Sequence, residues 1–291
     1  MENGVIGVLD SGFGGISVLN HLLSYMPNEN YVFYGDSKNS PFGTKSIDEL
    51  YKIGKNIIKT LLFYDPKVIV VACGTMSTNI INDLQKEFKQ VRLIGTYPTF
   101  DRALTPGLTL SESNFTFDKN SGLKITHDTK KVLIIATSAT CKSKFLNDLR
   151  TSYKDVLDLY VEPADPIVKA VENETLESFE FDEYLRKLFT PYMDIDYLVL
   201  GCTHFPFAIK QIKQVLGNHV RIVSGCENAA SNAKEYLDTN HKLEDITRTE
   251  DINTLKIIDS GLTPERVKMY KKLISINLDD YNVSFENTDS K

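Results

Sequence analysis

Two spacings of apolar positions alternate along the chain. Short unbroken runs such as VIGVLD (5–10), YVFYGD (31–36), VIVVAC (68–73) and VRLIGTY (91–97) fit buried strands. Between them, ISVLNHLLSYM (16–26) and SIDELYKIGKNIIKTLLFY (46–64) place apolar residues every three or four positions, as a helix with one inward face does. Ser46 with Glu49 three residues on forms a capping box, and Pro27-Asn28 stops the earlier helix. A third helix is read from residue 74 to about 88. After residue 130 the rhythm resumes. KVLIIATSAT (131–140), VLDLYVEP (156–163), DYLVLGCT (196–203), VRIVSG (220–225) and LKIIDSG (255–261) read as strands. Helical spacing covers 142–150, 165–172, 179–191, 208–216, 227–237 and 264–274. Strands alternating with helices predict an α/β fold of mainly parallel sheets with helices on their faces.

Three segments depart from this rhythm. Residues 105–130 are polar and rich in turn formers, so they predict a surface insertion, with a small hairpin made from LTL and FTF. Residues 238–254 are charged and belong on the surface. The tail after about Asp279 is expected to fray. Each half of the chain holds a strand that ends in a cysteine with a threonine close by. This predicts two related α/β lobes facing each other across a cleft.

Composition narrows the function. The chain has 291 residues, a net charge of −6, 42% hydrophobic and 25% charged residues, the profile of a globular protein. The negative balance argues against nucleic acid as partner, because phosphate binding needs a concentrated basic surface. The start, MENGVIGVLDSG, has neither a basic segment nor a long apolar run, and no apolar run is long enough to cross a bilayer. A cytoplasmic location with no membrane partner is expected. The four cysteines, Cys73, Cys141, Cys202 and Cys226, form no CxxC pair and no Cys/His cluster, so neither a metal site nor a disulfide framework is indicated.

Ligands of open α/β sheets sit at the carboxyl ends of strands. Asp10, Cys73, Thr137 and Cys202 all occupy such ends. The turn DSGFGGIS (10–17) is a near miss for the dinucleotide pattern, and Asp10 puts negative charge where a pyrophosphate would go. A tight turn exposing Asp10 and Ser11 is the better reading. Cys141 and Cys226 read as small buried hydrophobes. Cys73 in VVACGTMSTN and Cys202 in LVLGCTHFP admit two readings. Each is either an inert core thiol or a thiol whose pKa is lowered by the amides of a following helix. His204 beside Cys202 is a possible proton partner. Two active thiols without a cofactor suit the inversion of a carbon centre. A thiolate takes a proton from one face of the carbon, and a thiol returns one to the other face.

VLDSGFGGISVL, FYGDSKNSPFGTKS, ACGTMST, ATSATCKS, GCTHFP and SGLTPERVKMYKKL, in this order, resemble cofactor-independent glutamate racemases over nearly the whole chain. The resemblance implies two facing lobes, the first formed by 1–98 and 208–279 and the second by 99–207, with the active site in the cleft. It implies that Cys202 deprotonates the L-isomer and Cys73 the D-isomer, assisted by Asp10 and His204. Ser11, Phe42, Gly43, Gly74, Thr75, Thr203, Thr137 and Thr140 match substrate-binding positions, and Glu172 matches an acidic residue near the second cysteine. It further implies no cofactor, D-glutamate for peptidoglycan and hence cell shape, and a homodimer. Two positions depart from the family: Gly74 where asparagine is usual, and Phe42 where tyrosine is usual. The asparagine amide is lost at 74, which leaves a backbone N–H and opens volume. A related racemase acting on aspartate or another amino acid, or a non-catalytic binding protein on the same fold, is the alternative.

Overall fold

The computed structural model describes residues 4–99, 115–118, 122–125, 130–155, 157–243 and 253–288. Its first part runs β1 (Val5–Asp10), α1 (Ile16–Tyr25), β2 (Asn30–Gly35), α2 (Ile47–Leu62), β3 (Pro66–Val71), α3 (Gly74–Asn79), α4 (Ile81–Glu87) and β4 (Leu93–Gly95). The capping box forms as its spacing predicts. The Ser46 N–H donates to Glu49 Oε2 at 2.9 Å, and the Glu49 N–H donates to Ser46 Oγ at 3.3 Å. The single helix expected over 74–88 is two, because Ile80 leaves helical geometry (φ −131°).

A hairpin follows, β5 (Phe115–Asp118) with β6 (Gly122–Ile125), antiparallel. The sequence pattern pairs FTF with LTL. The partner of FTF is instead the LKI segment (123–125) that follows it, and LTL (108–110) lies outside the described residues. Then come β7 (Lys130–Ala136), α5 (Ser138–Cys141), α6 (Lys144–Tyr153), β8 (Leu157–Pro163), α7 (Asp165–Glu172), α8 (Phe179–Phe189), β9 (Tyr197–Leu200), α9 (Ile209–Leu216) and β10 (Arg221–Ser224). The chain closes with α10 (Gly225–Thr239), β11 (Asn253–Asp259), α11 (Pro264–Leu273) and β12 (Tyr281–Asn287).

Two parallel sheets result. The first has order β12-β11-β2-β1-β3-β4 and the second β10-β9-β7-β8. The apolar runs sort by parity, as a sheet covered on both faces requires. Ile6, Val8, Val70 and Ala72 pack under α1, α10 and α11, whereas Leu9, Ile69 and Val71 pack under α2, α3 and α4. In the second sheet Leu133 and Ile135 face α7, α8 and α9, and Val132 and Ile134 face Leu146 of α6.

Two expectations are corrected here. The chain does not return to the first sheet after residue 208. Ile212 and Leu216 bury in the second core, and β10 pairs with β9 in register Arg221↔Tyr197. The return comes at Gly225, where the Ala-rich face of α10 packs on α1. Nor does the described tail fray. Tyr281, Val283 and Phe285 alternate with polar residues, and β12 pairs with β11 over seven residues, Asn253↔Tyr281 to Asp259↔Asn287.

In each sheet the strand order reverses once. In the first, β1 lies between β2 and β3; in the second, β7 lies between β8 and β9. Such switch points leave a crevice beyond the carboxyl ends of the strands. Asp10 ends β1 and Cys73 follows β3, and Thr137 and Cys202 follow β7 and β9.

Candidate active site

The two crevices share one cavity of about 100 Å³. Drug-sized ligands typically occupy ~300–1,000 Å³, so this space suits a molecule of amino-acid size. Cys73 enters it from the first sheet and Cys202 from the second. Asp10, Ser11, Phe42, Gly43, Gly74, Thr75, Thr137, Thr203 and His204 complete the expected lining. Two expected residues stand behind it. Thr140 is fully buried and accepts from Thr137 Oγ1 at 3.0 Å. Glu172 lies behind His204, whose Nε2 is 2.7 Å from Glu172 Oε1.

The cavity is closed by contacts between the sheets. The hydroxyls of Thr75 and Thr137 are 2.9 Å apart, and Thr203 Oγ1 donates to Asp10 Oδ2 at 3.3 Å. The glycine-rich turn makes room for this approach. A Cβ on Gly12 would lie 2.2 Å from Glu172 Oε1, and one on Gly14 would lie 2.2 Å from His204 Nδ1. The turn therefore admits two side chains from the other half. Gly74 corrects the expectation of opened volume. A Cβ there would meet the Gly201 carbonyl oxygen at 2.7 Å, so the missing side chain is space taken up by backbone.

Burial sets the charges. Asp10 does not cap the following helix. It is 1% exposed, and its Oδ1 has no partner among the described residues. Loss of water raises its carboxyl to about 6, although His204 opposes the rise, as do the Ser11 amide and the Cys73 thiol. Cys73 corrects the expectation of a lowered thiol. Burial, and then the Asp10 charge, push it well above the ordinary thiol value, and the amides of Met76 and Thr75 offset this only in part. Cys73 thus rests as a thiol beside the Asp10 carboxyl. Cys202 is partly exposed, with Sγ 3.7 Å from His204 Nδ1. Burial alone would lower His204, but the hydrogen bonds and charges of Cys202 and Glu172 prevail and hold it well above the ordinary imidazole value. Each thiol therefore has its own titratable neighbour: Asp10 for Cys73, His204 for Cys202.

The other cysteines stay outside the cavity. Cys226 is buried in the first core as expected. Cys141, on α5, is partly exposed rather than buried. Sequence reasoning missed Asp165 and Lys169, which also line the cavity. Asp165 accepts from the Ser138 N–H and, at 2.6 Å, from the Ser138 hydroxyl. Their i, i+4 spacing on one helix face, next to the Thr137 turn, was the available signal.

No protein-family model matches the chain. It is 32% identical to a glutamate racemase of Clostridium perfringens over 278 residues, covering 95% of this chain and 98% of that one. Its fold superposes on a glutamate racemase isoform from Bacillus anthracis with a TM-score of 0.79, at 23% identity, over the full length of both chains. A glutamate racemase from Francisella tularensis crystallised with D-glutamate gives 0.76, at 22% identity and again over both full lengths. With two parallel sheets meeting at one cavity and relatives of this identity along nearly its whole length, the chain belongs to the glutamate racemase family.

Proposed function

We propose that the chain interconverts L- and D-glutamate by two-base proton transfer without a cofactor. One observation carries the reading: two thiols, each beside its own titratable partner, enter a single small cavity from opposite sheets. Cys202, with His204 as proton partner, takes the α-proton of the L-isomer. Cys73 in its thiol form delivers a proton to the opposite face, and Asp10 takes the Cys73 proton when the reaction runs from the D-isomer. Thr75, Thr137 and Thr203, with Ser11, supply hydroxyls to the substrate carboxylates, and Asp10 faces its ammonium. Phe42 and Gly43 floor the pocket. Thr140 orients Thr137, and Glu172 orients His204. The lobes that make this cleft are the two sheets with their helices, the first resuming at Gly225. The product serves peptidoglycan synthesis in the cytoplasm.

The test is L-glutamate in D₂O with purified protein and no added cofactor, followed by chiral separation and mass spectrometry. Inversion with deuterium at Cα is expected. Cys73→Ala and Cys202→Ala are each expected to lose about 10²–10⁴-fold in kcat, the span of one general acid or base. Full inversion by either alanine variant would overturn the two-thiol mechanism. Inversion of aspartate alone would transfer the mechanism to that substrate.

A further inference from the structure

Behind His204 a row of partly buried charges runs out of the active site and into the last helix. Glu172 uses both carboxylate oxygens. Oε1 accepts the Phe13 N–H at 2.8 Å and faces His204 Nε2, while Oε2 lies 3.3 Å from Arg266 Nη1 of α11. Arg266 is held from the other side. Its Nε donates to Asp259 Oδ2 at 2.7 Å, and Tyr270 Oη donates to the same oxygen at 2.6 Å. Asp259 Oδ1 accepts from the Gly261 N–H at 2.8 Å and from the Ser37 hydroxyl. The guanidinium lies 4.0 Å above the Phe13 ring, and Phe13 is the residue whose amide binds Glu172.

Packing alone does not account for an arginine here. Its Nη2 is buried with no partner among the described residues, and an unmade hydrogen bond at a charged group is costly. An apolar side chain would cover Phe13 without that cost. What the arginine adds is a positive charge on Glu172, whose other oxygen lies 2.7 Å from His204 Nε2, the ring nitrogen that also meets the Gly14 N–H at 3.2 Å.

We infer that Arg266 is a positioning residue for the Cys202 side of the reaction. From the last helix it aims Glu172 at His204 and limits how tightly that pair holds its proton. The groups facing His204 are Cys202 from its own loop, Glu172 from α7 and Asp10 from the end of β1. Cys73 lies beyond Asp10, and Arg266 acts through Glu172. The charges alternate in sign from His204 through Glu172 and Arg266 to Asp259. Without Arg266, an excess negative charge remains beside His204, and the Cys202–His204 pair keeps its proton to higher pH. Proton transfer at the cysteine from one sheet is then tied to the seating of a helix on the other.

The kinetic half of this inference rests on the racemase reading, so the test includes a readout that needs no turnover. This is the rate of Cys202 alkylation by iodoacetamide against pH, followed by mass spectrometry of the Cys202 peptide. Arg266→Met keeps the stem over Phe13 and removes the charge. Its alkylation midpoint is expected to rise by about half to one pH unit. Its kcat/KM at neutral pH is expected to fall about three- to tenfold, matching the same half to one pH unit in the protonation balance of the pair. The fall is equal in both directions, because the enantiomers have equal free energy. Lys272 lies on the same helix as Arg266; Lys272→Met breaks its exposed ion pair to Glu174, 3.1 Å, and is expected to change neither readout. A wild-type midpoint in folded Arg266→Met overturns the inference. If that variant does not fold, Arg266→Gln, which keeps a donor toward Asp259, decides by the same criterion. Failure of the unaltered protein to invert glutamate would overturn the racemase reading and leave the alkylation result to decide this one.

Discussion

Asp10 is where function and stability oppose each other within one residue. Its carboxyl sits at about 6 in the folded chain against 3.8 outside it. The folded state therefore binds more protons than the unfolded state between those values, and stability falls as pH rises through them. Asp10→Asn removes the buried charge. It is expected to stabilise the protein by up to about 3 kcal/mol at pH 7.5, to lose that gain as pH falls toward 4, and to lose most activity. Urea denaturation at the two pH values checks this; a destabilised variant at pH 7.5 would mean that the hydrogen bonds of Asp10 to Thr203 and Ser11 outweigh the cost of burying its charge. Asp10, Cys73, Cys202 and His204 were legible because strand ends announce themselves in the sequence. Lys169 and Arg266 were not. Each reads as an ordinary polar helix position until tertiary register shows what it faces, and the raised state of Cys73 depends on a burial that no motif records.

The elements that form the site are short, and their backbones touch. Alternating strands and helices were readable from spacing, since both periodicities are strong where each sheet is covered on both faces. The turn 10–17 was readable as tight, but not as a doorway for Glu172 and His204, because those residues come from distant sequence. Gly74 turns this into a measurement. Gly74→Asn restores the residue usual in the family, yet its Cβ would stand 2.7 Å from the Gly201 oxygen. Overpacking of this kind costs about 1–3 kcal/mol. The variant is expected to melt several degrees lower and to lose about tenfold in kcat/KM, because α3 and the 201–204 loop must separate. Calorimetry with steady-state kinetics reads both. A variant that melts unchanged and gains activity would show that the amide outweighs the close approach.

The whole molecule depends on a segment that composition discounts. Residues after Asp279 look like a polar tail, but period two runs through Tyr281, Val283 and Phe285, and such a short pattern gains meaning only beside β11. There β12 covers the edge of the six-stranded sheet. Tyr281 Oη donates to the Pro27 carbonyl at 2.7 Å, and Lys256 pairs with Glu286 at 2.9 Å. Without β12, the apolar strand of Leu255, Ile257 and Ile258 would present unpaired N–H and C=O groups, a template for another chain. The same strand carries Asp259, the anchor of Arg266, so loss of the edge reaches the active site through the charge row. Deleting residues 281–291 is expected to cost about 3 kcal/mol or more, from the lost ladder and the exposed aromatic surface. It is also expected to drive self-association and to lower kcat/KM even in the fraction that stays monomeric. Urea midpoints, light scattering and kinetics on the monomer peak test the three parts. A monodisperse truncation with an unchanged midpoint would mean that the sheet closes at β11 and that the charge row stands without its outer strand.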